Sequence, residues 1–207
     1  MSSIVQLSRR GFLQSSVGAL TLAVTAQGLV SAASAADTPP PKYGADTMPG
    51  GTVQDPLVFV SIAADGTVTI VAHRAEMGTG VRTSLPMVVA DEMEARWDRV
   101  KVVQAEGDEA RYGNQNVDGS RSVRHFFVPM RRVGAAARQM LEAAAAARWS
   151  VPVSEVKAVQ HEVLHQASGR RLGYGELAAE AAKQPVPTGD ALQLKTTAEF
   201  RYIGKGG

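Results

Sequence analysis

Residues 67–93 read Thr-Val-Thr-Ile-Val-Ala-His-Arg-Ala-Glu-Met-Gly-Thr-Gly-Val-Arg-Thr-Ser-Leu-Pro-Met-Val-Val-Ala-Asp-Glu-Met. The first six alternate β-branched and small residues, which predicts a strand from Thr67 to Ala72. Gly78-Thr79-Gly80 then breaks the strand. After the corner, Leu85, Val88, Val89 and Met93 recur at helical spacing, with Asp91, Glu92, Glu94 and Arg96 expected to face away. Thr83 is the expected N-cap, which places Pro86 in the first turn, where its missing N–H has no intrahelical partner. The stretch is therefore strand, glycine corner, helix.

Working outward, Val58, Val60 and Ile62 alternate with Phe59 and Ser61, and Ala64-Asp65-Gly66 supplies a turn, so a hairpin precedes the corner. Val100, Val102 and Val103 predict a third strand after the helix. Residues from Gly107 to about Arg124 form a polar, glycine-punctuated loop too long for a plain connection. Arg131 to Trp149 is alanine-rich and helical, and Pro129 either starts that helix or kinks it. A smaller strand-and-helix unit follows, with Leu177 to Ala182 helical, and Gln184 to Gly207 is loop-like. This order predicts an α+β class, a mixed sheet packed with helices. The expected divisions are an export signal at 1–35, a linker at 36–56, a domain at 57–183 and a second linker at 184–207. Asp37 to Pro56, with five prolines and three glycines, carries the first linker.

The chain has 207 residues, 22 Lys+Arg against 20 Asp+Glu, and no cysteine. Disulfides, thiolate zinc sites, cysteine nucleophiles and protein-held iron–sulfur clusters are thereby excluded from this chain. The excess of two positive charges comes from Arg9 and Arg10, the only charged residues before position 37. Without them the balance is zero, which gives no net electrostatic case for nucleic acid or anionic lipid. Ser8-Arg9-Arg10-Gly11-Phe12-Leu13 is a twin-arginine pattern, followed by the apolar run Val17 to Ala26 and by Ala33-Ser34-Ala35-Ala36. These are the three parts of a cleavable export signal, with cleavage expected after Ala35 and a periplasmic destination. Ten apolar residues rise about 15 Å as a helix, half of a hydrocarbon core of about 30 Å, so no stable membrane span is expected. An uncleaved, membrane-associated helix is the alternative.

Three segments bear on chemistry. His161-Glu162-Val163-Leu164-His165 matches H-E-x-x-H, which on a helix sets two imidazoles on one face for zinc with Glu162 as base. The alternative is a strand ending in the turn Ser168-Gly169, and no third zinc ligand stands out. Glu76 to Gly80 sits where glycines let a ligand approach the backbone and the following N–H groups can receive an anion, although a tight turn needs the same residues. Gly113 to His125 holds two hydroxyls, two arginines and two glycines ahead of a long helix. It suits phosphate or a polar heterocycle, and equally a solvated loop capped by Ser120 or Ser122. His73 and His125 stand alone and read as structural. No Ser-His-Asp arrangement or paired-carboxylate site can be argued from the spacing.

Taken together, the two loops resemble a known family. Ala75-Glu76-Met77-Gly78-Thr79-Gly80-Val81-Arg82-Thr83 resembles the T-E-M-G-Q-G-L-H-T segment of the xanthine dehydrogenase and aldehyde oxidase family. The likeness continues through Asp118-Gly119-Ser120-Arg121-Ser122-Val123 and the alanine-rich helix. It is strongest to the exported branch typified by isoquinoline oxidoreductase beta subunits and periplasmic aldehyde dehydrogenases, from Ser8 to about Lys205. The resemblance implies a molybdopterin cytosine dinucleotide held without a protein ligand to molybdenum. Met77, Gly78, Thr79 and Gly80 would line one side of it, and Gly119, Ser120, Arg121 and Ser122 the other, with Arg121 and Arg124 also toward the phosphates. It further implies the remainder of a large subunit, a separate [2Fe-2S] subunit and a cytochrome c as partners. Thr79 departs from the family's glutamine. The family's catalytic glutamate falls beyond Gly207, so the chain alone is not expected to turn over.

Overall fold

The corner at 78–80 joins a strand to a helix in a parallel crossover. The protein is described by a computed structural model that covers Met48 and residues 50–205. The export signal and the start of the first expected linker lie outside the described residues. Strand β2 (Val68–Ala72) buries Val68, Ile70 and Ala72 and leaves Thr69 and Val71 half-buried, as period-two alternation requires. It pairs antiparallel with β1 (Val60–Ile62) and parallel with β3 (Val100–Gln104), in the order β1-β2-β3. Helix α2 (Val81–Glu92) is the crossover between the parallel pair. The carboxyl ends of β2 and β3 thus share one edge, where ligands bind in open sheets containing parallel strands.

The hairpin expected from Val58 is shorter than its alternation suggested. Residues Pro56–Phe59 form a helical turn, α1, because Asp55 accepts the Leu57 N–H at 2.9 Å and Pro56 occupies the first helical position. Phe59 is driven fully into the core. Thr83 is not the N-cap of α2 either. That position is Gly80, left-handed at φ 74°, so Pro86 lies a turn further in and removes a real helical hydrogen bond.

After the short helix α3 (Glu109–Tyr112), the long helix α4 runs from Arg121 to Trp149, starting well before the alanine-rich stretch, with Pro129 inside it. Ser122, Phe126, Met130, Val133, Ala137, Met140, Leu141 and Ala144 form its buried stripe. It crosses α2 at Gly134, where an added Cβ would lie 2.5 Å from the Val89 carbonyl oxygen. A second, antiparallel sheet of β4 (Val156–Val159), β5 (Glu162–His165) and β6 (Arg171–Gly173) packs on α4 and leads into α5 (Tyr174–Ala181). Two three-stranded sheets, one mixed, with helices packed against them make the α+β architecture.

Asp91 and Glu92 do not face away from the core; both are fully buried. Asp91 accepts the consecutive N–H groups of Arg201, Tyr202 and Ile203 and the Lys195 ammonium. Burial works to raise its carboxyl, but these donors outweigh that and hold it below the usual carboxylate value. Glu92 takes Arg131 at 2.7 Å and Arg138 at 3.5 Å. Helical spacing identified a polar stripe on α2; the partners that bury it come from residues 131–138 and 195–203.

Candidate functional site

The loop leaving β2 begins with two fully buried polar residues, His73 and Arg74. The His73 ring sits 5.4 Å from Phe59 and 4.9 Å from Phe126, and neither nitrogen has a hydrogen-bond partner among the described residues. Burial first, and the Arg74 charge second, push its pKa down to about 3, so the imidazole is neutral.

Arg74 does what the sequence did not suggest. Its Nη1 donates to the carbonyl and side-chain oxygens of Asn114, both at 2.8 Å, its Nη2 donates to the Asn116 carbonyl, and its Nε donates to Ser122 Oγ at 3.2 Å. The guanidinium lies 4.5 Å above the Phe126 ring. One side chain therefore ties the loop after β2 to the loop after β3 and to the start of α4. All four acceptors are neutral, and no carboxylate forms an ion pair with Arg74 among the described residues. Its hydrogen bonds all go to neutral acceptors, while the Asp118 and Glu109 carboxylates act on it through space.

The glycine corner is built by Glu76. Its carboxylate accepts the Gly80 N–H at 2.9 Å and the Arg82 N–H at 3.0 Å. These bonds, the Arg82 one largest, pull its pKa down to about 2. The N-terminus of α2 thus already holds an anion, supplied by the chain itself, and those two N–H groups are taken. What remains presented is the outer face of the corner. Met77 is 66% exposed, and Gly78 and Gly80, at φ 89° and 74°, have open space where a Cβ would project.

The second loop is buried at its start and solvated further on, with Asn116 and residues 118–120 exposed. Asn114 is buried, and Gln115 spans it by accepting the Asp108 N–H and donating to the carbonyls of Glu106 and His73. Ser120 is the N-cap of α4 in left-handed conformation, with no side-chain cap, and the Arg121 N–H donates to the Asp118 carbonyl at 3.0 Å. Ser122 does not cap; it receives Arg74. Arg121 pairs with Asp118 at 3.3 Å and Arg124 reaches the Gly119 carbonyl at 3.4 Å, both at the surface, where such bonds are weak enough to exchange. No hydrogen bond or ion pair joins Met77–Gly80 to Gly119–Ser122 directly among the described residues; Arg74 is their link.

The H-E-x-x-H segment is a strand, not a helix. His161 precedes β5 at φ 76°, with Nε2 on the Gly66 carbonyl and Nδ1 accepting the Arg96 N–H. His165 ends the strand, and four residues of strand span about 13 Å, too far for one metal. Both rings are engaged elsewhere. No group of three metal-ligating side chains occurs among the described residues, which removes the basis for a zinc hydrolase at His161, Glu162 and His165.

With this geometry in view, comparisons with known proteins are specific. A family model described as molybdopterin cofactor-binding domain matches residues 23–205. The chain is 37% identical to the beta subunit of isoquinoline 1-oxidoreductase of Brevundimonas diminuta over 97% of its own length and 29% of that protein's. It is 33% identical to a membrane-bound aldehyde dehydrogenase (pyrroloquinoline-quinone) of Gluconacetobacter polyoxogenes, over 96% of this chain and 25% of that one. A nicotinate dehydrogenase subunit of Pseudomonas putida is 30% identical over 72% of this chain and 12% of its own. The chain spans less than a third of each of these relatives. The match over residues 23–205 bears out the resemblance carried by the two loops: the chain belongs to the molybdopterin cofactor-binding domain family.

Proposed function

We propose that this chain forms one wall of the cofactor site in the large subunit of a periplasmic molybdenum hydroxylase exported by the twin-arginine route. Met77, Gly78, Thr79 and Gly80 would hold one side of a molybdopterin cytosine dinucleotide, and Gly119, Ser120, Arg121 and Ser122 the other. When bound, that group supplies two-electron molybdenum chemistry, with which the complete subunit would oxidise an aldehyde or N-heterocycle using water as the oxygen source. Electrons would leave through a [2Fe-2S] subunit and a cytochrome c.

The observation that carries this reading is Arg74. This buried guanidinium, whose hydrogen bonds all go to neutral acceptors, joins two glycine-bearing loops at the carboxyl edge of parallel strands, which supports one ligand shared between them. The donor set also fits. The start of α4, which no side chain caps, and the exchangeable Arg121 and Arg124 side chains can take phosphate oxygens, and the Cβ-free corner admits a flat ring to the backbone. Glu76 holds the corner in shape through the Gly80 and Arg82 N–H groups.

The test is to purify the protein from a host that makes the molybdenum cofactor, oxidise it, and measure pterin fluorescence, molybdenum and released nucleotide. Stoichiometric pterin, molybdenum and cytidine monophosphate support the reading. Guanosine monophosphate or no nucleotide would correct the dinucleotide, while a quinone or no cofactor would overturn the proposal in favour of a different redox protein or an exported binding module.

A further inference from the structure

The second sheet carries a constellation that shares no residue with the cofactor loops. In the antiparallel register Val156 pairs with His165, which brings Glu155, just before β4, beside the end of β5; the Gln166 N–H donates to the Glu155 carbonyl at 2.9 Å. The β5–β6 turn closes tightly. The His165 N–H donates to the Arg170 carbonyl and the Gly169 N–H to the His165 carbonyl, each at 2.9 Å, with Gly169 at φ 71°. This places Ser168 back over the His165 ring.

His165 is buried, its Nε2 is 3.0 Å from Glu155 Oε2 and its Nδ1 is 2.7 Å from Ser168 Oγ. An ionised carboxylate only accepts, so Nε2 carries the proton, and the neutral ring then presents Nδ1 as acceptor for the serine hydroxyl. Arg170 Nε donates to the same Oγ at 2.9 Å and its Nη2 lies 3.4 Å from Nδ1. Trp149 supports both, with its ring 5.9 Å from that of His165 and 5.3 Å from the Arg170 guanidinium. Ser168 itself is exposed. A hydroxyl bonded to a base and a base bonded to an orienting carboxylate are the parts of an acyl-transfer site, and attack requires the exposed Arg170 side chain to swing off the Oγ lone pair it occupies.

We propose that Ser168 is a base-activated nucleophile that accepts an acyl group from an activated ester, with His165 as proton acceptor and Glu155 as positioning residue. The Ser168 oxygen attacks the carbonyl carbon as its proton passes to His165 Nδ1. The ester C–O bond breaks, and the leaving oxygen takes that proton. Water, deprotonated by the same ring, then hydrolyses the acyl-serine. No oxidant or reductant enters. Arg170, once off Oγ, donates to the carbonyl oxygen, where the negative charge develops during attack.

The experiment treats the full chain with p-nitrophenyl acetate, follows p-nitrophenol release, and maps acetylated residues by mass spectrometry. Acetylation concentrated at Ser168 is expected, lost in Ser168→Ala, an exposed position where the fold survives. His165→Asn should slow the reaction about 100-fold. Glu155→Gln should slow it, and Glu155→Asp should restore part of the rate. Acetylation spread over lysines and other serines, or a rate unchanged in Ser168→Ala, would overturn the proposal.

Discussion

Glu76 is the residue whose chemistry reaches furthest at the surface. A carboxylate that accepts the Gly80 and Arg82 N–H groups makes the corner its own anion site, and those bonds lower its pKa to about 2, so the folded state prefers the ionised form. The sign follows from linkage. A folded value below the ordinary 4.5 means stability that is present above pH 4.5 and lost as pH falls toward 2. Thermal melts across that window should show Glu76→Gln less stable than the parent at pH 6, with the gap closing as pH falls to 2. A gap that stays constant would show that the carboxylate does not hold the corner. Arg74 works at the same scale from inside. Arg74→Met leaves Ser122 Oγ, the Asn114 side chain and two carbonyls without this donor, and should cost about 2–4 kcal/mol in urea unfolding. Arg74→Lys should recover little of it, because an ammonium cannot reproduce a planar fork of donors.

At the scale of elements, α2 and α4 are held together by a glycine. An ordinary Gly→Ala change inside a helix gains about 1 kcal/mol. At Gly134 the new methyl would meet the Val89 carbonyl oxygen at 2.5 Å and Glu92 Cβ at 2.7 Å, so Gly134→Ala should instead destabilise by about 1–3 kcal/mol in denaturant titration. The local pattern of these elements was legible in the sequence. The β2 alternation, the helical spacing from Leu85 to Met93 and the alanine-rich helix all stand, because burial imposes their periods directly. What escaped were features that depend on partners distant in the chain. The cap of α2 is a glutamate four residues before Gly80, which no N-cap preference identifies, and the start of α4 at Arg121 is fixed by packing of Ser122 and Phe126 beneath a polar sequence. The two loops stood out by composition; Arg74, which binds them, did not, because a single arginine after a strand carries no pattern. The Ser168, His165 and Glu155 cluster escaped likewise, since a turn folds Ser168 onto His165 and only strand register brings Glu155 to the same ring.

For the whole molecule, the governing feature is that both ends of α2 are tied down. Its first turn meets the glycine corner, and its last turn binds residues 195–203 through Asp91 and Glu92. Negative charge at a helix C-terminus opposes the helix dipole, so the arrangement stands only while the N–H groups and cations remain in place. Asp91→Asn should therefore loosen residues 195–203 well before the rest unfolds, seen as faster proteolysis in that segment and a loss of about 2–4 kcal/mol. At the opposite end of the helix, the two loops are to act as one site through Arg74. Hydrogen exchange on the cofactor-loaded protein against its cofactor-free form tests this most directly. Residues 77–82 and 118–123 are predicted to gain protection together, and to lose it together in Arg74→Met; protection confined to one loop, or gained only elsewhere in the chain, would contradict a shared site.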